Sequence, residues 1–345
     1  MMRIFEGYQR GVNLGGWLSQ CIRYDEEYFD TFTREEDIKQ IAAWGFDHVR
    51  LPIDYDVIEE EDGTPKEAGH RHIQDCIDWC EKYHLNIVLD LHKSCGFMFD
   101  TAAVADPDKF FTDEKLQDRF IQTWTELISR YGRYHERMAF ELLNEVVNPD
   151  YKEEWADIAD RAIHMIREVQ PEAWIILGGV QHNSVVSVPT LRKPLDDHIV
   201  YNFHCYEPLC FTHQHAHWVE NIDYNLPYPA PLELYVEKSK LLDQNDTAGI
   251  LSGEVKEVGL EFFENLFRDA IAYAEKQGAP LYCGEYGVID QADPEDALRW
   301  IRDINQVFHK HGIGCAIWNY REKDFGITEA HYDSVRDDVI KALTE

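Results

Sequence analysis

The chain has 345 residues, enough for two average domains or for one barrel-sized domain. Its 65 acidic against 33 basic residues, a formal net charge of −32, repel phosphate backbones and argue against a nucleic-acid partner, whereas neutral ligands such as sugars feel little of that field. No run approaches the ~18 apolar residues of a membrane span, so a soluble domain with a substantial core and no membrane partner is expected.

In chain order, short apolar strands alternate with amphipathic helices. Gly11–Leu18 reads as a first strand with a glycine-rich exit, and Thr33-Arg-Glu-Glu36 as a capping box opening a helix to about Trp44. His48–Ile53 is strand-like up to Pro52. A helix over Gly69–Tyr83 places Ile73, Ile77 and Cys80 on one face, and Asn86–Leu91 is the continuous apolar run of a strand covered on both sides. Thr112 caps a helix to about Tyr131, and Met138–Leu143 is the fourth strand. Helix Glu153–Val169, strand Trp174–Leu177 and strand Ile199–Cys205 follow.

An insertion over 207–258 comes next, rich in proline and in aromatics such as Phe211, Trp218, Tyr224, Tyr228 and Tyr235. The chain then resumes with a helix over about Gly259–Lys276, strand Leu281–Cys283, and a helix opened by Asp293-Pro294, a capping side chain before proline at the first turn. Strand Ile313–Trp318 and helix Ser334–Leu343 complete it. Eight strands separated by helices predict a single α/β domain over 1–345, a (β/α)8 TIM barrel. A doubly wound sheet is the alternative, but no Gly-x-Gly-x-x-Gly follows the first strand. The insertion then lies after strand six on the face where barrel active sites form, and reads as a lid or subdomain contacting sugar.

The eight cysteines are scattered, several in strands, and read as reduced buried thiols. The opening residues carry no apolar stretch of export-signal length, so a cytoplasmic location is expected. Cys76 and Cys80 lie four apart on a helix with no second pair to complete a zinc set, and His213, His215 and His217 read as hydrogen-bonding loop residues. No metal and no cofactor is expected, and a monomer is.

Polar and aromatic residues gather where the strands end: Arg50 on the second, His92 on the third, Asn144 and Glu145 on the fourth, His204 and Tyr206 on the sixth, Glu285 on the seventh and Trp318 on the eighth. Two carboxylates at the tips of separate strands can face each other across a pocket, the minimum equipment for cleaving a glycosidic bond by a two-carboxylate route. Arg50 suits keeping Glu285 ionised, and Tyr206 can donate to the same carboxylate. Asn144 suits a sugar 2-hydroxyl, His92 and His204 suit hydroxyls or the carboxylates, and Trp318 offers a flat apolar face. Lys93, beside His92, reads as solvated, with sugar hydroxyls as the alternative.

At these residues the chain resembles glycoside hydrolase family 5, the cellulase A family. The matching stretches are Gly11-Val-Asn-Leu-Gly-Gly-Trp17, Phe46-Asp-His-Val-Arg-Leu-Pro52, Leu89-Asp-Leu-His92, Phe140-Glu-Leu-Leu-Asn-Glu145, Tyr201-Asn-Phe-His-Cys-Tyr206, Tyr282-Cys-Gly-Glu-Tyr-Gly287 and Ala316-Ile-Trp-Asn-Tyr320. The segment Phe211–Trp218 further resembles the insertion of a clostridial-type endoglucanase of this family. The resemblance implies that Glu145 is the acid/base and Glu285 the nucleophile of a retaining hydrolase. Arg50, His92, Asn144, His204, Tyr206 and Trp318 would line the central subsite. The implied substrate is a β-1,4- or mixed-linkage β-glucan or a cellooligosaccharide. An exo-acting β-glucosidase or β-1,3-glucanase is the alternative, and a non-catalytic carbohydrate-binding barrel a more distant one. One departure is the loop His92-Lys-Ser-Cys-Gly96, where many members have a second histidine and an Ala-Pro-Gly turn.

Overall fold

A computed structural model describes residues 2–101, 105–242 and 255–345. Eight parallel strands close into a barrel: β1 (Gly11–Asn13), β2 (His48–Asp54), β3 (Asn86–Lys93), β4 (Met138–Glu141), β5 (Trp174–Gly178), β6 (Ile199–Cys205), β7 (Leu281–Tyr286) and β8 (Gly314–Ile317), with β8 pairing β1. Long helices such as Glu67–Tyr83, Glu114–Tyr131, Lys152–Val169, Leu260–Gln277 and Pro294–His311 pack outside. Between β5 and β6 the described structure has only a 3-10 turn, Val185–Thr190.

Several boundaries differ from expectation for local reasons. β1 stops at Asn13, and Leu18 only bridges Ile53 after the glycine turn. The helix expected from Thr33 begins at Glu35, because Asp37 reaches back to accept from the N–H of Arg34 at 2.9 Å. Thr112 is the last residue of a short helix, Lys109–Thr112, rather than a cap. Asp113 caps Glu114–Tyr131 by accepting from the N–H of Lys115. Helix Glu26–Phe32, capped by Asp25, was not expected.

Side chains alternate in and out along a strand, so inward residues recur every second position. The barrel interior is therefore layered. Val88, Ala139, Ile176, Val200, Tyr282 and Ala316 form an apolar floor, and the stacked rings of Phe5 and Tyr8, centroids 4.1 Å apart, pack against it from below. Two residues further along β3, β4 and β6 come Asp90, Glu141 and Asn202, joined by Arg50 from β2, all fully buried. Another step brings His92 and His204. Glu285 breaks the pattern, because counting by twos from Tyr282 would turn it outward. The β6–β7 register slips between Phe203↔Cys283 and His204↔Glu285, a bulge at Gly284 that brings Glu285 inward. A side chain at Gly284 would crowd the Asn202 amide and the His204 ring, both 3.0 Å from where its Cβ would stand.

Of the insertion, residues 243–254 lie outside the described structure. The rest folds onto the rim through Cys210, Phe211, Tyr228 and Tyr235, all buried. Its two-residue strands Ala230–Pro231 and Glu257–Val258 pair antiparallel. All eight cysteines are free thiols, six of them buried. No described helix is long and apolar enough to cross a membrane.

Candidate active site

The C-terminal half of the barrel brings together all eight expected residues, although Arg50 sits in the middle of β2 and reaches the site by the length of its side chain rather than from the strand's end. A carboxylate oxygen of Glu145, one of Glu285 and a ring nitrogen of His204 lie within 4.8 Å of one another. Both glutamates are buried, with 9% and 5% of their surfaces open. Glu145 has a φ of +35°, a backbone region that side chains other than glycine's rarely adopt. Such strain persists only where surrounding contacts impose it, and it concentrates at functional sites.

Arg50 is the electrostatic centre. Its Nη1 donates to Glu285 Oε1 at 2.7 Å and to Asn13 Oδ1 at 3.0 Å. Nε and Nη2 grip Glu141 at 2.7 and 2.9 Å, and Nη2 also meets Asp90 Oδ2 and Asn144 Oδ1, each at 2.9 Å. One guanidinium thus faces three carboxylates. Burial pushes Asp90 up to about 6, against the pull of Arg50. Asn144 Oδ1 accepts from Arg50, which turns its amide nitrogen towards His92. Replacing Arg50 by methionine would leave the three acids without their cation. The expected result is a loss of about 3–5 kcal/mol of unfolding free energy, measured by urea denaturation, together with loss of activity. Wild-type stability in that variant would contradict the central role of Arg50.

Glu285 receives a second donor on its other oxygen, the Tyr206 hydroxyl at 3.0 Å. Glu145 sits between two imidazoles. His204 Nδ1 lies 2.7 Å from Oε1, and His182 Nδ1 lies 3.3 Å from Oε2. Burial alone would raise the Glu145 carboxyl, but these two donors outweigh it and hold it well below the usual range. Conversely, burial would lower His204, but Glu285, 3.8 Å away, and Glu145 raise it above its ordinary value. Both directions favour the pair's proton resting on His204, with the Glu145 carboxylate accepting from it.

His92 is pushed down to about 4 by burial and stays neutral near pH 7. Its Nδ1 donates to Asp90 Oδ2 at 2.7 Å, so its Nε2 accepts from the Gln20 amide at 3.0 Å. The ring stacks on Trp318 at 5.9 Å. The Trp318 ring lies against the backbone of Gly15, where an added Cβ would stand 2.4 Å from Cη2, which explains the need for glycine there.

Lys93 corrects the expectation of a solvated side chain. It is 24% exposed and pairs with Asp56 at 2.7 Å. His213 packs its ring on Tyr206 at 5.1 Å, and His215 bonds Asp223 and Asn225. Sequence reasoning missed Asn13, Gln20, Asp90, Glu141, His182 and Asn202. Asp90 and Glu141 carried a signal, since an acid in phase with the inward positions of an apolar strand must find a buried partner.

His204, Glu145 and Glu285 have the donor types of a cation site, but Arg50, Tyr206 and the two histidines already occupy their oxygens. The cluster of Glu26, Asp30 and His72 is likewise bridged by Arg71.

Residues 7–324 match the model of the cellulase family, glycosyl hydrolase family 5. The chain is 45% identical over 314 residues to cellodextrinase A of Ruminococcus flavefaciens, covering 90% of this chain and 85% of that one. It is 40% identical over 343 residues to endoglucanase C of Acetivibrio thermocellus, covering 97% and 98%. Among solved structures, subunit Z of the cellulose synthase of Clostridioides difficile superposes with a TM-score of 0.76 at 23% identity, over 98% of this chain and 100% of that one. Endoglucanase Cel5A of Thermotoga maritima superposes with a TM-score of 0.73 at 23% identity, over 98% and 97%. These structural matches bear on the fold.

Proposed function

The chain belongs to the cellulase family, glycosyl hydrolase family 5, and from that premise we propose that Glu285 and Glu145 cleave β-1,4-glucosidic bonds of glucans and cellooligosaccharides with retention of configuration. The observation that carries this reading is the approach of the two carboxylates to within 4.8 Å. That matches the ~5–5.5 Å of retaining enzymes, not the ~6.5–9.5 Å that leaves room for an attacking water. The relatives' names, cellodextrinase and endoglucanase, support the linkage.

In the first step a Glu285 oxygen attacks the anomeric carbon, the bond to the leaving oxygen breaks, and Glu145 gives that oxygen its proton. The Glu145–His204 pair is the source of this proton. In the second step Glu145 takes a proton from water, the hydroxide attacks the anomeric carbon, and the bond to Glu285 breaks. Arg50 and Tyr206 hold Glu285 in position, Asn144 receives the 2-hydroxyl, and the Trp318 face carries the sugar ring.

Proton NMR of a fresh digest tests the stereochemistry, and β-configured first product is expected. First product of α configuration would overturn the assignment. Product analysis on cellohexaose, laminarihexaose and lichenan tests the substrate, with mid-chain cleavage of the first expected. Glucose alone from the first minutes would instead indicate exo action, and preference for laminarihexaose a β-1,3 specificity.

A further inference from the structure

Strand β7 carries one residue more than both of its neighbours. Against β6 the pairing passes from Phe203↔Cys283 to His204↔Glu285, and against β8 from Cys315↔Cys283 to Ile317↔Tyr286. An extra residue leaves ladder groups unpaired and bends the strand there. Arg50 and Tyr206 hold the Glu285 carboxylate, but the direction from which it enters the site is set by this backbone.

Three fully buried side chains bond to that backbone. Asn202 Oδ1 accepts from the N–H of Gly284 at 2.9 Å. Asn13 Nδ2 donates to the Gly284 carbonyl at 3.0 Å and also meets the carbonyls of Ala316 and Ile317 on β8, at 3.1 and 3.3 Å. The Cys283 thiol donates to the Glu285 carbonyl at 3.2 Å, and burial keeps it protonated by pushing it well above its ordinary value. Both amides use their other ends on the charged centre. Asn13 Oδ1 accepts from Arg50 at 3.0 Å, and Asn202 Nδ2 donates to Glu141 at 2.8 Å. Cys283 belongs to the core outside the barrel and bonds to no charged side chain among the described residues.

A buried backbone group without a partner is costly, so these contacts select one backbone path through the bulge. We propose that Asn13, Asn202 and Cys283 are positioning residues for the nucleophile, fixing the Gly284 bulge so that the Glu285 carboxylate meets the anomeric carbon from the direction of attack. The proposal rests on the hydrolase reading above and adds to it a division of labour. Arg50 and Tyr206 act on the carboxylate, whereas the two amides and the thiol act on the peptide that carries it. All three side chains are closed to solvent and so to the sugar, which makes their effect one on turnover and not on affinity.

The test is the rate at which an aryl 2-deoxy-2-fluoro-β-cellobioside with a good leaving group labels Glu285. A Glu285 oxygen bonds to the anomeric carbon, the aryloxide leaves with its electron pair, and the fluorine slows the water step, so the added mass is read by mass spectrometry. With such a leaving group this step needs little protonation by Glu145. Cys283→Val removes the donor at nearly constant volume. It should lower both the labelling rate and kcat for cellopentaose about tenfold, with KM within about twofold of wild type. Cys283→Ser, which restores a donor, should recover most of the loss. Asn202→Ala should lower the labelling rate about a hundredfold, the scale of a ~1 Å misplacement. Because Asn202 also bonds Glu141, the two Cys283 variants decide the matter if Asn202→Ala does not fold. An unchanged labelling rate in Cys283→Val or in folded Asn202→Ala, a loss that Cys283→Ser does not recover, or a rise in KM alone overturns the positioning role and leaves the hydrolase reading intact. Wild-type protein that is never labelled at Glu285 overturns both.

Discussion

Glu285→Ala is expected to lower turnover of cellooligosaccharides by roughly four orders of magnitude or more while leaving their binding largely intact. On the proposed reading that side chain supplies the attacking atom, whereas ring stacking on Trp318 and the Asn144 contact to the 2-hydroxyl do not depend on it. A second readout separates nucleophile from acid. In Glu285→Ala a small anion such as azide can enter from the vacated face and yield an α-glycosyl azide from an activated aryl glycoside. In a variant lacking only the acid/base, azide instead intercepts the covalent intermediate and yields the β product. Near-wild-type hydrolysis by Glu285→Ala, or a β-azide from it, would end the assignment.

Glu145→Ala should slow cleavage of unactivated cellooligosaccharides by ~10²–10⁴-fold. The first step on an aryl glycoside with a good leaving group should suffer far less, since little protonation is needed there. With the base absent from the second step, that substrate should show a burst followed by slow turnover. The pH dependence follows from the proton held by the Glu145–His204 pair. Glu145 is held low and His204 raised, so the protonated pair persists below the raised value of His204 and is lost as pH climbs through it. The alkaline decline in wild-type kcat/KM for cellopentaose should therefore flatten in Glu145→Ala. Equal losses on activated and unactivated substrates would rule Glu145 out as the acid.

That the candidate site residues come together was legible because strand ends in a barrel converge. Once Met138–Glu141 and Leu281–Tyr286 are strands of one barrel, their ends place Glu145 and Glu285 on the same face. What was not legible is how the site is wired. Arg50 was expected to serve Glu285, yet it also grips Asp90 and Glu141. Gln20 and His182 reach the site from loops that carry no periodicity, held in left-handed backbone at φ of +52° and +54°. Lys93 was misjudged because its partners, Asp56 and the rings of Tyr24 and Tyr55, arrive from another strand end and an earlier loop.

By itself, the order of apolar runs and helical patterns determined the eight-fold alternation, and with it the face on which polar strand ends meet. Periodicity reflects burial of one side of each element, which neighbouring residues alone can encode. The parity of Glu285 is a different matter. Only the slipped β6–β7 register at Gly284 turns that carboxylate inward. Register is settled between strands far apart in the chain, where the Asn202 amide and the His204 ring leave room for hydrogen alone on the glycine.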